Sequence, residues 1–166
     1  MNLAHNRRLA AAILGVVAAD WLTKFWIQNR LVLGTERTVV DGWLWLAHHH
    51  NPGISFSAFA GMPDAWRTPL LAVAALLGLG VAGRILLTAH DAGVRVAAAL
   101  VMAGALGNLG DRLVDGGVTD FIRVRFFPFI FNLADVAITA GAVLLLARLL
   151  LEEQRRAADS ATPTPG

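Results

Sequence analysis

Four aspartates stand close together where the chain is otherwise very apolar. The stretch "GNLGDRLVDGGVTDFI", residues 107–122, holds Asp111, Asp115 and Asp120, and Asp135 closes "FNLAD" shortly after. Asn108 and Asn132 each precede an aspartate by three residues, a spacing that puts amide and carboxyl on one helix face. An amide so placed can orient a carboxyl through hydrogen bonds. Two carboxyls held near each other do not both ionise easily, so one keeps a proton and can act as acid while its partner acts as base. That is the equipment for activating water. A plainer reading stands beside it: Asp135 stabilises a helix N-terminus by its charge and Asp111 pairs with Arg112.

Other polar groups also qualify for chemistry. Asp20 and Lys24 sit at i, i+4 inside an apolar run and can neutralise each other, as structural support or as an intramembrane functional pair. "HHHNPGISFS", residues 48–57, offers three histidines and two serines. Consecutive histidines in a strand point to alternate faces, which argues against a metal site at His48, His49 and His50. Neither Ser55 nor Ser57 lies in a nucleophile elbow. Asn51-Pro52-Gly53 reads as a turn. There is no cysteine, which removes disulfides and thiolate chemistry.

The elements that position these groups follow from composition. Only 16% of the 166 residues are charged and mean hydropathy is +0.58, against about a quarter charged in soluble domains. A formal charge of +2, with arginines scattered along the chain, gives no reason to expect nucleic acid. Four stretches are apolar enough to cross a bilayer: residues 9–28, 69–89, 94–110 and 136–151. The second opens with Pro69, suited to a first helical turn. Arg7 and Arg8 before the first run also fit a cleaved leader, but Asp20 and Lys24 within it and three further spans favour a retained helix. Spans three and four cover only about 16–17 residues, or about 25 Å, so their acidic ends are expected slightly below the membrane surface. Residues 152–166 read as a disordered polar tail.

An even number of spans leaves both termini on one side and gathers the loops 29–68 and 111–135 on the other. Arg7, Arg8, Arg84, Arg95, Arg148, Arg155 and Arg156 lie with the termini; Arg30, Arg37, Arg67, Arg112, Arg123 and Arg125 lie opposite. Seven against six slightly favours cytoplasmic termini. Trp26, Trp43, Trp45 and Trp66 cluster at or beyond the outer end of span one, and "RTVVDGWLWLAH" alternates as strands do. The first loop is therefore expected to lie on the membrane as a platform over the acids.

Five motifs, "DWLTK" (20–24), "NPGISFS" (51–57), "GNLGDR" (107–112), "VTDFI" (118–122) and "FNLAD" (131–135), resemble those of the bacterial lipoprotein signal peptidases, signal peptidase II, in order from about Leu9 to Leu150. The resemblance implies an all-α integral membrane protein. It would have four transmembrane helices, a small extracytoplasmic β-cradle and a short surface helix in loop 1. It implies an aspartic endopeptidase of the inner membrane, with cytoplasmic termini and an extracytoplasmic site. Such an enzyme cuts prolipoproteins just before a diacylglyceryl-modified cysteine. Membrane lipid and prolipoprotein are the implied partners, with no nucleic acid, no metal or cofactor, and one copy of the chain. Carried over by motif, Asp120 and Asp135 form the catalytic dyad and Asn132 orients it. Asn51 and Gly53 line the substrate groove, while Asn108, Asp111 and Arg112 shape the site. Asp20 and Lys24 brace it. Two positions depart from the family pattern: His50 stands where arginine is common, and Gly110 where a bulky apolar residue is common. The competing class is a small proton-coupled transporter using Asp20, Lys24 and the acids as a relay, but no inverted repeat or broken helix is evident.

Overall fold

The computed structural model describes residues 3–53 and 61–161. The elements run α1 (Leu3–Arg30), β1 (Glu36–Val40), β2 (Leu44–Asn51), α2 (Asp64–Thr88), α3 (Ala92–Asp115), β3 (Val118–Val124), β4 (Ile130–Phe131) and α4 (Leu133–Ala161). All four helices are long and apolar enough to span a membrane. Leu14, Leu22, Leu77 and Val143 are more than half exposed, as suits side chains turned toward lipid.

α3 is the central helix. Most of its buried residues are small: Ala97, Ala98, Ala99, Ala103, Gly104 and Gly107, beside Asn108 and Leu109. Without a hydrophobic drive between helices in lipid, such residues favour association by letting backbones approach closely. A Cβ on Gly104 would stand 2.2 Å from the Ala134 carbonyl oxygen of α4, and one on Gly107 2.7 Å from Asp20 Oδ2. Gly104→Ala is therefore expected to force α3 and α4 apart and to lower stability by about 1–3 kcal/mol, measured as thermal unfolding in detergent.

The spans differ from those read in the sequence. α3 has 24 residues and α4 has 29, about 36 and 44 Å long, so neither is short for a bilayer. Hydropathy falls at Asn108, Asp111 and Arg112, but these side chains find partners within the protein, and the helix continues to Asp115. It ends at Gly116, whose left-handed backbone (φ 71°) turns its N–H back to the Arg112 carbonyl. Asp111 thus lies within a helix instead of at its submerged end. Pro69 falls inside α2, which begins five residues earlier, behind Pro63. The polar segment 152–161 continues α4 where a disordered tail was expected. Its Glu152–Arg156 ion pair at i, i+4 and its alanines and arginines favour helix.

The strands make the chain more than all-α. The strands anticipated in the first loop form as β1 and β2, an antiparallel pair, but the sheet is larger. It has four antiparallel strands in the order β1-β2-β3-β4, and β3 and β4 come from the loop between α3 and α4. β2 pairs with β3 in a register that sets His49 opposite Asp120, His50 opposite Thr119 and Asn51 opposite Val118. One ladder therefore ties the two loops together, packed against α1 and α3. Residues 31–53 and 61–63 contain no helix, and residues 54–60, where the short surface helix of loop 1 would have to lie, fall outside the described residues.

Candidate active site

Asp120 sits in β3 and is 1% exposed. The inward turn of the strand that buries it also brings it between two amides. Asn51, the last residue of β2, donates to its Oδ2 at 2.8 Å, and Asn132 donates to its Oδ1 at 2.7 Å. Asn132 belongs to a second arrangement as well. It immediately precedes α4, its Oδ1 accepts from the Asp135 N–H (2.9 Å), and Asp135 Oδ2 accepts from the Asn132 N–H (3.3 Å). This is a reciprocal cap of the helix start, and it is the physical reason for the three-residue spacing in "FNLAD". The cap fixes Asp135 while the Asn132 side-chain amide remains free for Asp120.

The other face of Asp135 is held by α3. Asn108 Nδ2 donates to Asp135 Oδ1 at 2.8 Å, and Asn108 Oδ1 accepts from Lys24 Nζ at 3.1 Å. Lys24 is 2% exposed and also meets Asp20 Oδ2 at 2.6 Å and Asp111 Oδ2 at 2.9 Å. One ammonium, reaching from α1, thus fixes two carboxylates and the amide that holds Asp135. Asp20 Oδ1 accepts from the Ala134 N–H (2.9 Å), covering a free donor in the first turn of α4. Asp111 accepts from the Thr119 N–H at 3.2 Å and so joins the end of α3 to the start of β3. Arg112 donates to the Gly53 carbonyl (3.0 Å) and to the Asn108 carbonyl (3.1 Å), securing the turn after β2. The Gly53 N–H in turn donates to Asn51 Oδ1 at 3.0 Å.

A cavity of about 610 Å³ opens on these groups. Asn51, Asn108, Arg112, Asp120 and Asp135 form its polar end. The rest is apolar, with Val136, Thr139 and Val143 of α4 on one side and phenylalanines on the other. Phe127 stands edge-on to both Phe129 and Phe131, with ring centroids 5.6 Å apart in each pair, which stiffens that wall. A ligand with a polar reacting centre and a long apolar portion fits such a space. Asp20, Lys24, Asp111 and Asn132 do not line it and act from behind.

The environment of Asp120 sets its charge. Burial pushes its carboxyl up to about 7; the Asn51 hydrogen bond opposes this, the charge of Asp135 adds to it, and Asn132 and Lys24 pull the other way. Burial thus lets Asp120 keep a proton to much higher pH than an exposed carboxyl does.

Several sequence expectations change in detail. Asp111, which the plainer sequence reading paired with Arg112, turns to Lys24, and Asn108 is the group that touches Asp135. Asp115 is the exposed end of α3. His48 Nδ1 lies 2.8 Å from the Leu31 carbonyl, a structural contact. Ser55 and Ser57 fall outside the described residues. At Gly110 a Cβ would lie 2.5 Å from Trp21 Cζ2, so the indole of α1 occupies the space a larger residue would need. The phenylalanine wall went unread, although "FFPFIF" (126–131) is a visible apolar cluster just past β3. Gln28, which donates to Thr119 Oγ1 at 2.8 Å, carried no signal.

Comparison with known proteins agrees with this architecture. The family described as signal peptidase (SPase) II matches residues 12–151. A lipoprotein signal peptidase of Symbiobacterium thermophilum is 37% identical over 153 residues, covering 89% of this chain and 96% of that protein. One from Dichelobacter nodosus is 36% identical, covering 88% and 96%. A bacterial membrane enzyme solved by the in meso method at 2.3 Å superposes with a TM-score of 0.81 at 25% identity, over 96% of this chain and 94% of the other. With a family match across four membrane-spanning helices and the sheet above them, the chain belongs to the signal peptidase II family of bacterial membrane peptidases.

Proposed function

We propose that Asp120 and Asp135 are the catalytic pair with which this peptidase removes the signal peptide from prolipoproteins, cutting just before the diacylglyceryl-modified cysteine. The observation that carries this reading is the convergence on one cavity of two aspartates, each held by separate amides, with an apolar trough beside them. The trough suits acyl chains, and the polar end suits the scissile peptide. Asp135, as base, takes a proton from a water lying between the carboxyls, and that water attacks the carbonyl carbon. Asp120, as acid, donates to the developing oxyanion, and the proton then passes to the departing amine. The reaction needs only water and the two carboxyls. Arg112 holds the turn through Gly53, and with Asn51 it frames the edge along which the substrate backbone lies. Both aspartates belong to one chain, so the pair needs no second copy to form. The arginine balance supports cytoplasmic termini and an active site on the extracytoplasmic face of the inner membrane.

The test is cleavage of a diacylglyceryl-modified prolipoprotein by the purified protein in detergent, with the unmodified precursor as control. Cutting of the modified form alone, immediately before the cysteine, is the expected result; an intact modified substrate overturns the reading. The same assay has a pH signature. Asp120 must keep its proton, and its carboxyl titrates at about 7, so kcat/KM should fall as pH rises through that value. A flat profile from pH 6 to about 9 would remove Asp120 from the acid's role.

A further inference from the structure

We infer that His50 and Gly117 form a contact that positions Asn51 against Asp120, which makes both of them positioning residues for the reaction. The inference rests on the catalytic pair proposed above. Gly117 is buried in the short turn between α3 and β3. A Cβ built on it would lie 2.5 Å from His50 Nε2, 2.6 Å from His50 Cε1 and 2.9 Å from the Asn51 carbonyl oxygen. The imidazole therefore lies directly on the glycine, and the end of β2 is seated as close to the turn as a missing side chain allows.

What is seated there matters for the chemistry. Asn51 is next to His50, and its amide reaches Asp120 Oδ2 at 2.8 Å. Its own Oδ1 is held by the Gly53 N–H, and Gly53 is held by Arg112. His50 pairs with Thr119 and Asn51 with Val118 across the ladder, so the strand end has one fixed height over β3. A methyl group at position 117 leaves two ways out. The imidazole can rotate away, but the Asn51 carbonyl is backbone and has to move a few tenths of an ångström. That movement passes directly to the amide on Asp120. The charged and polar groups that face Asp120 are Asn51 from β2, Asn132 and Asp135 at the start of α4, Lys24 from α1 and Arg112 from α3; His49 lies opposite it in the ladder. Of these, Asn51 and His49 are carried by the strand end that Gly117 seats, and Asn51 is the one that hydrogen-bonds Asp120.

The experiment compares Gly117→Ala, His50→Ala, the double variant and Asn51→Ala by pH–rate profile on the diacylglyceryl-modified substrate. Gly117→Ala is expected to lower kcat/KM between about 10- and 100-fold, the scale of sub-ångström to ångström misplacement. It should also move the basic limb to higher pH, because a weakened Asn51 hydrogen bond no longer favours the Asp120 carboxylate. Removing the imidazole in the double variant should recover part of both effects. On an Asn51→Ala background, Gly117→Ala should shift the limb no further, since the two act through one bond. A limb that stays in place, or shifts that simply add, would overturn the inference and leave Gly117 a packing residue. If Gly117→Ala does not fold, His50→Ala alone should move the limb in the same direction by less. Infrared titration of isotope-labelled Asp120 reads the same shift without substrate. A protein that leaves the prolipoprotein uncut therefore sinks the proposed function, while the infrared midpoint still decides the contact.

Discussion

Asp120→Asn and Asp135→Asn are each expected to lower cleavage of the modified prolipoprotein by about 10⁴-fold, the upper range for losing a positioned acid or base. The two losses have different local causes. An asparagine at 120 cannot deliver a proton to the oxyanion and presents its own amide to the amide donors of Asn51 and Asn132. An asparagine at 135 cannot accept a proton from water, although it can still cap α4. Because the carboxyls act as a unit, the double variant should be little worse than either single one. Asp111→Asn should retain measurable cleavage, since Asp111 faces Lys24 and the Thr119 N–H and not the cavity. Asp115→Asn should match the unsubstituted enzyme. Purified variants with matched thermal unfolding, assayed for product at fixed times, decide the matter. Normal cleavage by Asp120→Asn with a dead Asp111→Asn would mean that the pair has been wrongly chosen.

The second large effect concerns Lys24. Replacing it by methionine removes the cation that pairs with both Asp20 and Asp111 in a nearly dry cluster and leaves the two carboxylates facing each other across the vacated site. Breaking a buried pair in this way costs about 3–5 kcal/mol, because uncompensated charge remains. Lys24→Met should therefore unfold at markedly lower temperature in detergent. Adding Asp20→Asn and Asp111→Asn to it should restore much of that loss, since no net charge is then left unpaired. Activity should recover less than stability. Lys24 also holds Asn108 Oδ1, and without it the amide facing Asp135 is free to turn. A triple variant regaining both stability and full rate would show that the lysine has no part in aligning the dyad.

Much of this site could be read from residue types and spacing, and the misreadings have definite causes. "FNLAD" showed its amide and carboxyl at three residues' distance, and the helix cap makes that spacing meaningful. "GNLGDR" has the same spacing but different work: its amide and its carboxyl both meet at Lys24, and only Asn108 reaches onward to Asp135. Spacing alone does not say toward which neighbour a helix face is turned. The spans were drawn too short because hydropathy stops at the first charged side chains, whereas a helix continues as long as those side chains find partners. β3 was hidden because "VTDFI" is both a strand and a motif, and its pairing partner, β2, lies some 70 residues away. The apolar trough depends on three phenylalanines converging across the β3–β4 turn, which no periodicity encodes.

The sheet joins residues from opposite halves of the chain, and this orders the birth of the enzyme. During synthesis β1 and β2 emerge early, directly after α1, and β2 then has an unpaired edge until β3 follows α3. Asn51 is in place long before the aspartate it serves. Asp120 in turn waits for Asn132 and the first turn of α4. A nascent chain halted after α3 thus carries the bracing lysine and two of the three amides, Asn51 and Asn108, but neither Asp120 nor Asp135, so the pair can close only once the start of α4 has been made.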